Sequence, residues 1–333
     1  VELTTVTEHS AALHDGTVVR RYEGLAPGTL HDLDGVAVRT LPRPDGELLA
    51  RFGTVNDVHF GEVEAGVVDG LDLGPTFSSP PGAEPYPELM NRAAVAELVA
   101  ADLDAVVVKG DLTSRGSLEE YERFLEVYEG ALGDRLHHFR GNHESYHHLE
   151  VGRPTPYSVT LPGVVLAMVD TSIDGRPNGG LDDDTLTWLG DLAAGSDHPV
   201  LVFGHHHCWD PGSRQRPDDY FGISPADSER LVAAMAAQPA LRGYFAGHTH
   251  RNRVRRFSAT GDRPFVEVAS VKEFPGVWAE YRVYETGVVQ AVHRISDPEA
   301  LRWTDRTRVM YGGTFEAYAM GSMADRCFVI PTT

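Results

Sequence analysis

The chain has 333 residues, 41% of them hydrophobic and 23% charged, which is the composition of a globular protein able to bury a large core rather than of a disordered or fibrous one. Forty-nine acidic against 29 basic side chains give a formal net charge of -20, which argues against a nucleic-acid or anionic-membrane footprint, since either needs clustered Lys and Arg. Two cysteines, Cys208 and Cys327, are too few to staple such a chain and too far apart for a local zinc motif.

In chain order, residues 1–48 carry short alternating segments such as TVVRRY and GVAVRT, broken by turn-rich GLAPGT and LPRPDG. They read as a β-rich N-terminal extension laid against the edge of a main body. From about residue 49 to 296 the texture changes to apolar runs, LLARFGTV, DAVVVKG, LHHFRG, VVLAMVD, PVLVFG and LRGYFAG. Helical patterns over 88–101, 117–132, 183–194 and 224–238 lie between several of them, with Ser117 and Ser224 as N-caps and Glu120 in capping-box register. This alternation predicts a layered α/β domain with mixed β-sheets flanked by helices. Helix-free runs RPFVEVASV, AEYRVYET and VVQAVHRI predict antiparallel additions to the sheet, and residues 297–333 form a tail expected on the core or at an oligomer interface. Two long loops, 61–87 and 208–223, are expected to be functional or mobile. No stretch approaches ~18 uninterrupted apolar residues and the first thirty residues lack a charged start followed by an apolar run, so a cytoplasmic location without membrane partners is expected.

Polar residues gather where the apolar runs end. Asp57 and His59 follow the first, Asp111 the second, Asn142 and His143 the third, the run His205-His206-His207 a later one, and His248 and His250 the last. A lone D-x-H or G-H-x-H is usually an ordinary polar strand end. Five in order at strand ends are not, because the carboxyl ends of strands in an α/β sheet are where sites form. On an extended segment, Asp57 and His59, and likewise His248 and His250, point the same way. Imidazoles, carboxylates and one amide oxygen without thiolates suit divalent Mn, Fe or Zn. Seven candidates exceed one tetrahedral shell, so two ions sharing a carboxylate are expected.

The order D-x-H, GD, GNHE, strand-end His, GHxH resembles the calcineurin-like metallophosphoesterase superfamily over roughly residues 50–295, most closely its class III cyclic-nucleotide phosphodiesterases and glycerophosphodiesterases. The resemblance implies a layered αββα core and two divalent transition-metal ions. One would be held by Asp57, His59, His250 and the bridging Asp111, the other by Asp111, Asn142, His206 and His248. His206 is chosen by counting back from Cys208, which stands where the family pattern has Pro, with His205 as the alternative. Ser114 stands where many relatives carry a second acidic residue.

The expected function is hydrolysis of a small phosphodiester, such as a 3',5'-cyclic nucleotide, by a hydroxide activated on the metals, with His143 as the acid for the leaving group. A phosphomonoesterase is the alternative enzyme, and a metal-free interaction scaffold the alternative of another class. Arg214, Arg216 and Tyr220, in the second long loop, are expected substrate contacts. The expected partner is a small phosphoester and not a nucleic acid, with a homodimer left open.

Overall fold

The computed structural model describes residues 1–68 and 70–332. Its first strands, β1 (Glu2–Val6), β2 (Ala11–Asp15) and β3 (Val18–Tyr22), form a small antiparallel sheet, and β4 (Leu30–Leu33) and β5 (Val36–Arg39) a hairpin. Val6, Ala11, Leu13, Leu33 and Val38 give these strands a core of their own. They meet the larger body through side chains: the Thr5 hydroxyl donates to the Val292 carbonyl at 2.8 Å.

The body is built on twelve strands: β6 (Leu48–Val55), β7 (Ala105–Lys109), β8 (Leu136–Phe139), β9 (Tyr157–Leu161), β10 (Val164–Met168), β11 (Val200–Phe203), β12 (Leu241–Ala246), β13 (Arg253–Arg256), β14 (Pro264–Glu267), β15 (Val277–Tyr284), β16 (Gly287–Arg294) and β17 (Cys327–Pro331). They form two six-stranded sheets, ordered β17-β16-β15-β6-β7-β8 and β13-β14-β12-β11-β10-β9. Each has a parallel centre and antiparallel additions, β15 to β17 in the first and β9 and β13 at the edges of the second.

The sheets pack face to face, and alternation within single strands shows it. In β7, Ala105 and Val107 enter the core between the sheets while Val106 and Val108 face the outer helices; in β10, Val164, Leu166 and Met168 face inward and Val165 and Ala167 outward. A strand buried on both faces reads as a continuous apolar run, not an alternating one, which is what the sequence has. Phe52 stacks on Tyr281 at 4.6 Å between centroids and meets Phe203 edge-on at 6.0 Å.

Helices α1 (Tyr86–Ala100) and α2 (Leu118–Leu132) cover the first sheet; a single turn, α3 (Asn142–Ser145), follows β8; α4 (Asp183–Ala194) and α5 (Pro225–Ala237) cover the second sheet. Ser117 and Ser224 cap α2 and α5 by accepting from Glu120 N–H and Asp227 N–H. The expected capping box at α2 does not close, because the Glu120 carboxylate turns to the backbone and guanidinium of Arg115. No helix among the described residues is long and apolar enough to cross a membrane.

The tail contains one more long helix, α6 (Pro298–Thr307), and ends in β17, an edge strand absent from the sequence reading. Asp297 caps α6 by accepting from Glu299 N–H and Ala300 N–H. Trp303 of α6 stacks on Tyr86 at 4.2 Å, and its indole N–H donates to the Lys272 carbonyl at 2.8 Å. Trp303→Ala therefore removes a large buried ring and orphans that carbonyl, and is expected to cost about 3–5 kcal/mol of unfolding free energy, measured by urea denaturation.

Candidate metal centre

The carboxyl ends of β6, β7, β8, β11 and β12 open at one edge of the packed sheets, and each is followed by a turn bearing candidate ligands. These turns are not extended. Asp57 (φ 54°), His59 (47°), Asp111 (50°), His248 (68°) and His250 (53°) all adopt left-handed backbone, so the expected strand-like i, i+2 alignment of Asp57 with His59 and of His248 with His250 is corrected. Such φ values are uncommon outside Gly, although Asp and His are among the residues enriched there. Hydrogen bonds between turns hold them. Asp57 N–H donates to the Gly110 carbonyl at 3.3 Å, and Val58 and His59 N–H both donate to the Asp111 carbonyl at 3.0 Å.

Two groups of donor atoms result. Asp57, His59 and His250 present atoms within 4.8 Å of one another, with His250 Nε2 3.5 Å from Asp57 Oδ1. In the second group, His205 Nε2 lies 3.0 Å from Asn142 Oδ1 and 3.2 Å from His248 Nδ1. Asp111 stands between the groups, its Oδ2 3.6 Å from His59 Nε2 and 3.2 Å from His205 Nε2. Both ring nitrogens of His59 and Nε2 of His248 are buried without a hydrogen-bond partner among the described residues. A sealed imidazole without a partner is costly, and a divalent cation on one ring nitrogen of His59 would relieve part of that cost. The donor set fits two such ions.

The histidine run resolves one residue earlier than expected. His205 Nδ1–H donates to the Lys109 carbonyl at 2.8 Å, which fixes the tautomer and aims Nε2 at Asp111 and Asn142. His206 comes within 4.8 Å of His205 and His248, yet both its nitrogens are occupied: Nδ1 accepts from the Thr171 hydroxyl at 2.9 Å and Nε2–H donates to the Pro177 carbonyl at 3.2 Å. The geometry thus puts His205 in the position assigned to His206.

Other contacts orient the donors. Asn142 Nδ2 donates to the Tyr146 hydroxyl at 2.9 Å, which turns Oδ1 toward His205. His250 Nδ1 lies 2.5 Å from Glu273 Oε1. Glu273 escaped the sequence reading; a buried carboxylate in VKEF, past a strand, carries no spacing signal. His143 Nδ1–H donates to the Ser114 carbonyl at 2.6 Å, leaving Nε2 facing the site 3.9 Å from Asp111 Oδ2. The backbone of Ser114 thereby supplies an acceptor at the position where its side chain cannot act as the missing acid.

Charge is distributed unevenly over the imidazoles. Burial, reinforced by neighbouring positive charge, holds His59 and His248 well below the usual histidine range. Burial opposes the charge on His205 too, but Asp111 and Asp57 overcome it and raise the pKa to about 9. Asp57 and Glu273 likewise outweigh burial at His250, which rises to about 10. Burial would raise Asp111, yet His205 and His143 hold it well below the carboxylate range.

A cavity of about 620 Å³ opens over the donors, floored by His59, Asp111, Asn142, His143, His248 and His250. Arg214, Arg216 and Tyr220 are not among its lining residues. Arg216 pairs with Glu229 and lies over the Trp209 ring, Arg214 is exposed, and the Tyr220 ring packs 5.1 Å from that of His207. The loop presents Phe221 to the cavity in their place, 4.1 Å from the His248 ring.

With this geometry, a family model described as calcineurin-like phosphoesterase matches residues 50–252. The chain belongs to that family. Within the family, it is 33% identical over 160 residues to glycerophosphodiester phosphodiesterase GpdQ of Enterobacter lignolyticus (strain SCF1), covering 44% of this chain and 56% of the relative. It is 30% identical over 167 residues to 3',5'-cyclic adenosine monophosphate phosphodiesterase CpdA of Pseudomonas aeruginosa, covering 47% and 59%. The matches therefore span little more than half of those relatives. Among solved structures, a dimetal phosphatase from Danio rerio superposes with a TM-score of 0.58 at 17% identity over 75% of this chain and 98% of that one, a likeness of fold alone.

Two of the imidazoles carry a second proton in the metal-free protein, and a divalent ion bound to them would displace it. With pKa values near 9 and 10, both are charged at neutral pH and lose the proton only as pH rises. Metal affinity is expected to increase from pH 6 to 9, with about two protons released per fully loaded chain at pH 7. Calorimetry in buffers of different ionisation enthalpy measures the release; a pH-independent affinity would contradict it.

Proposed function

We propose that this chain is a dinuclear metal-dependent phosphodiesterase acting on a small phosphodiester. One ion is assigned to Asp57, His59, His250 and Asp111, the other to Asp111, Asn142, His205 and His248. The observation that carries the reading is Asp111, a buried carboxylate with one oxygen within 3.6 Å of an imidazole nitrogen from each group. The relatives named as phosphodiesterases support diester over monoester chemistry. When bound, two divalent ions polarise phosphoryl oxygens and bring the pKa of water toward 7.

The chain's own residues do the rest. Orientation comes from the fixed tautomer of His205 and from Glu273 on His250. As water oxygen bonds to phosphorus and the bond to the leaving oxygen breaks, His143 Nε2 delivers a proton to that oxygen; the attacking water gives up one proton to solvent, and uptake of a proton from solvent restores His143. The Ser114 carbonyl holds the ring in the orientation this requires, and the His59 ring, edge-on at 4.4 Å, limits its movement.

Elemental analysis tests the ligand assignment. Wild-type protein reconstituted with Mn, Fe or Zn should hold close to two ions, and Asp111→Ala should lose both along with activity. His205→Ala should lose one, whereas His206→Ala should keep two. Retention of both ions by His205→Ala would refute the assignment.

His143 is tested by its leaving group. An alkoxide departs poorly unless protonated, and a proton donor is typically worth about 10² to 10⁴ in rate; a nitrophenolate needs no such help. His143→Ala should depress turnover of an alkyl or cyclic diester far more than that of bis-nitrophenyl phosphate, with metal content unchanged. Equal losses on both would assign His143 to positioning or to phosphoryl charge.

A further inference from the structure

The cavity has a polar floor and apolar walls. Val67, Val68 and Leu73 of the long loop form one wall, and Tyr311, Phe315 and Tyr318 of the tail form the other. The tail wall lies beyond residues 50–252, the part that matches the family. It is nonetheless tied to the donors, because the Tyr318 hydroxyl donates at 3.0 Å to the carbonyl of Thr249, the residue between His248 and His250. The two walls also touch each other: a Cβ on Gly74 would come within 2.9 Å of Gly312 N, so only glycine allows that approach.

Three features describe what such a chamber takes. First, its volume is in the range of roughly 300–1,000 Å³ that accommodates drug-sized ligands, far more than a phosphate needs. Second, Lys272 is the only Lys or Arg among the described lining residues, and it is already bound to Glu62 and lies 3.5 Å from Glu273. A second phosphate or a carboxylate on the substrate would find no unpaired cation there. Third, the walls leave apolar surface in water, with Val67 53%, Leu73 42% and Tyr318 44% exposed. Apolar side chains left exposed while lining a cavity point to a binding surface. Tyr311 adds strained backbone, with φ 52° at a residue other than Gly, and such strain clusters at ligand sites.

We propose that the substrate is an amphiphilic phosphodiester: one phosphate at the floor, and one uncharged alkyl ester group lying between the loop and tail walls. This rests on the phosphodiesterase reading and narrows its substrate class.

The test uses the Mn-loaded 333-residue chain and glycerol phosphodiesters of ethanol, butanol and octanol, each below its micellar concentration, with products separated by chromatography. kcat/KM should rise with chain length, by roughly tenfold or more from ethyl to octyl, as expected for methylenes leaving water. Calorimetric binding of ethylphosphonate and octylphosphonate, which are not turned over, should give the same order. Val67→Asp with Leu73→Asp, both at exposed positions, should flatten the dependence on chain length in both measurements. Equal kcat/KM for all three diesters would overturn the amphiphile assignment and leave the phosphodiesterase reading standing. A dependence that survives the double substitution would overturn the placement of the chain between these walls. No turnover of any diester by the metal-loaded protein would overturn both readings.

Discussion

A carboxylate sealed from water has to be surrounded by donors or cations, and Asp111, 2% exposed at the end of β7, meets that demand by drawing neighbouring turns onto itself. Its carbonyl accepts from Val58 and His59, its Oδ1 accepts from His143 N–H at 3.1 Å, and its Oδ2 faces His59 and His205. The turns after β6, β7, β8 and β11 are thus registered on one residue. A second buried carboxylate helps: Glu144 accepts from Thr113 N–H, the Thr113 hydroxyl and Gly141 N–H within 2.7 Å, locking the GDLT turn to the GNHE turn. Burial and the nearby charge of Asp111 push the Glu144 pKa up, and those three hydrogen bonds offset part of the repulsion. Gly141 has no substitute in this packing, since a Cβ there would strike the Asp111 carboxylate.

The layered sheets are readable in the sequence because their central strands are buried on both faces, and burial on both faces writes a continuous apolar run that few other structures require. The helices that cover the sheets are readable from apolar spacing, helped by serine caps on α2 and α5 and by the Asp182 cap on α4, whereas α1 starts at Pro85 without a side-chain cap. Strands without such signatures are not: Tyr157–Leu161 is half-buried at an edge, Arg253–Arg256 is largely polar, and Cys327–Pro331 is short and follows irregular helical turns. Each owes its place to pairing with a strand that already exists, a tertiary cause with no local pattern.

At the site, the gathering of Asp, Asn and His at strand ends is readable, but which histidine of a run of three faces inward is not. That choice is made by Thr171 and Pro177, distant in sequence, which occupy both nitrogens of His206 and leave His205 to meet Asp111. The same applies to Glu273 on His250 and to the tail on Thr249. Arg214 and Arg216 illustrate the converse. A loop that looks as if it should present cations to a phosphate pairs Arg216 with Glu229 on α5 and gives the cavity Phe221. Long-range partners decide such assignments, and residue type alone does not.

The left-handed backbone at Asp57, His59, Asp111, His248 and His250 bears on how the site is prepared. A residue other than Gly held in that region costs of order 1–3 kcal/mol and persists only where its surroundings over-determine it. Here the surroundings are hydrogen bonds between turns, such as His248 N–H to both carboxylate oxygens of Asp57 at 3.1 Å. The consequence is that the donors are aimed by the main chain more than by rotamer choice. Short side chains then suffice to reach the centre, and Asp and His tolerate the conformation better than β-branched residues, whose Cβ substituents clash there. The strain is therefore tied to preorganisation: the turns that hold these donors bring their charges together before any ion arrives, and the protons on His205 and His250 stand in for part of the cationic charge the carboxylates demand.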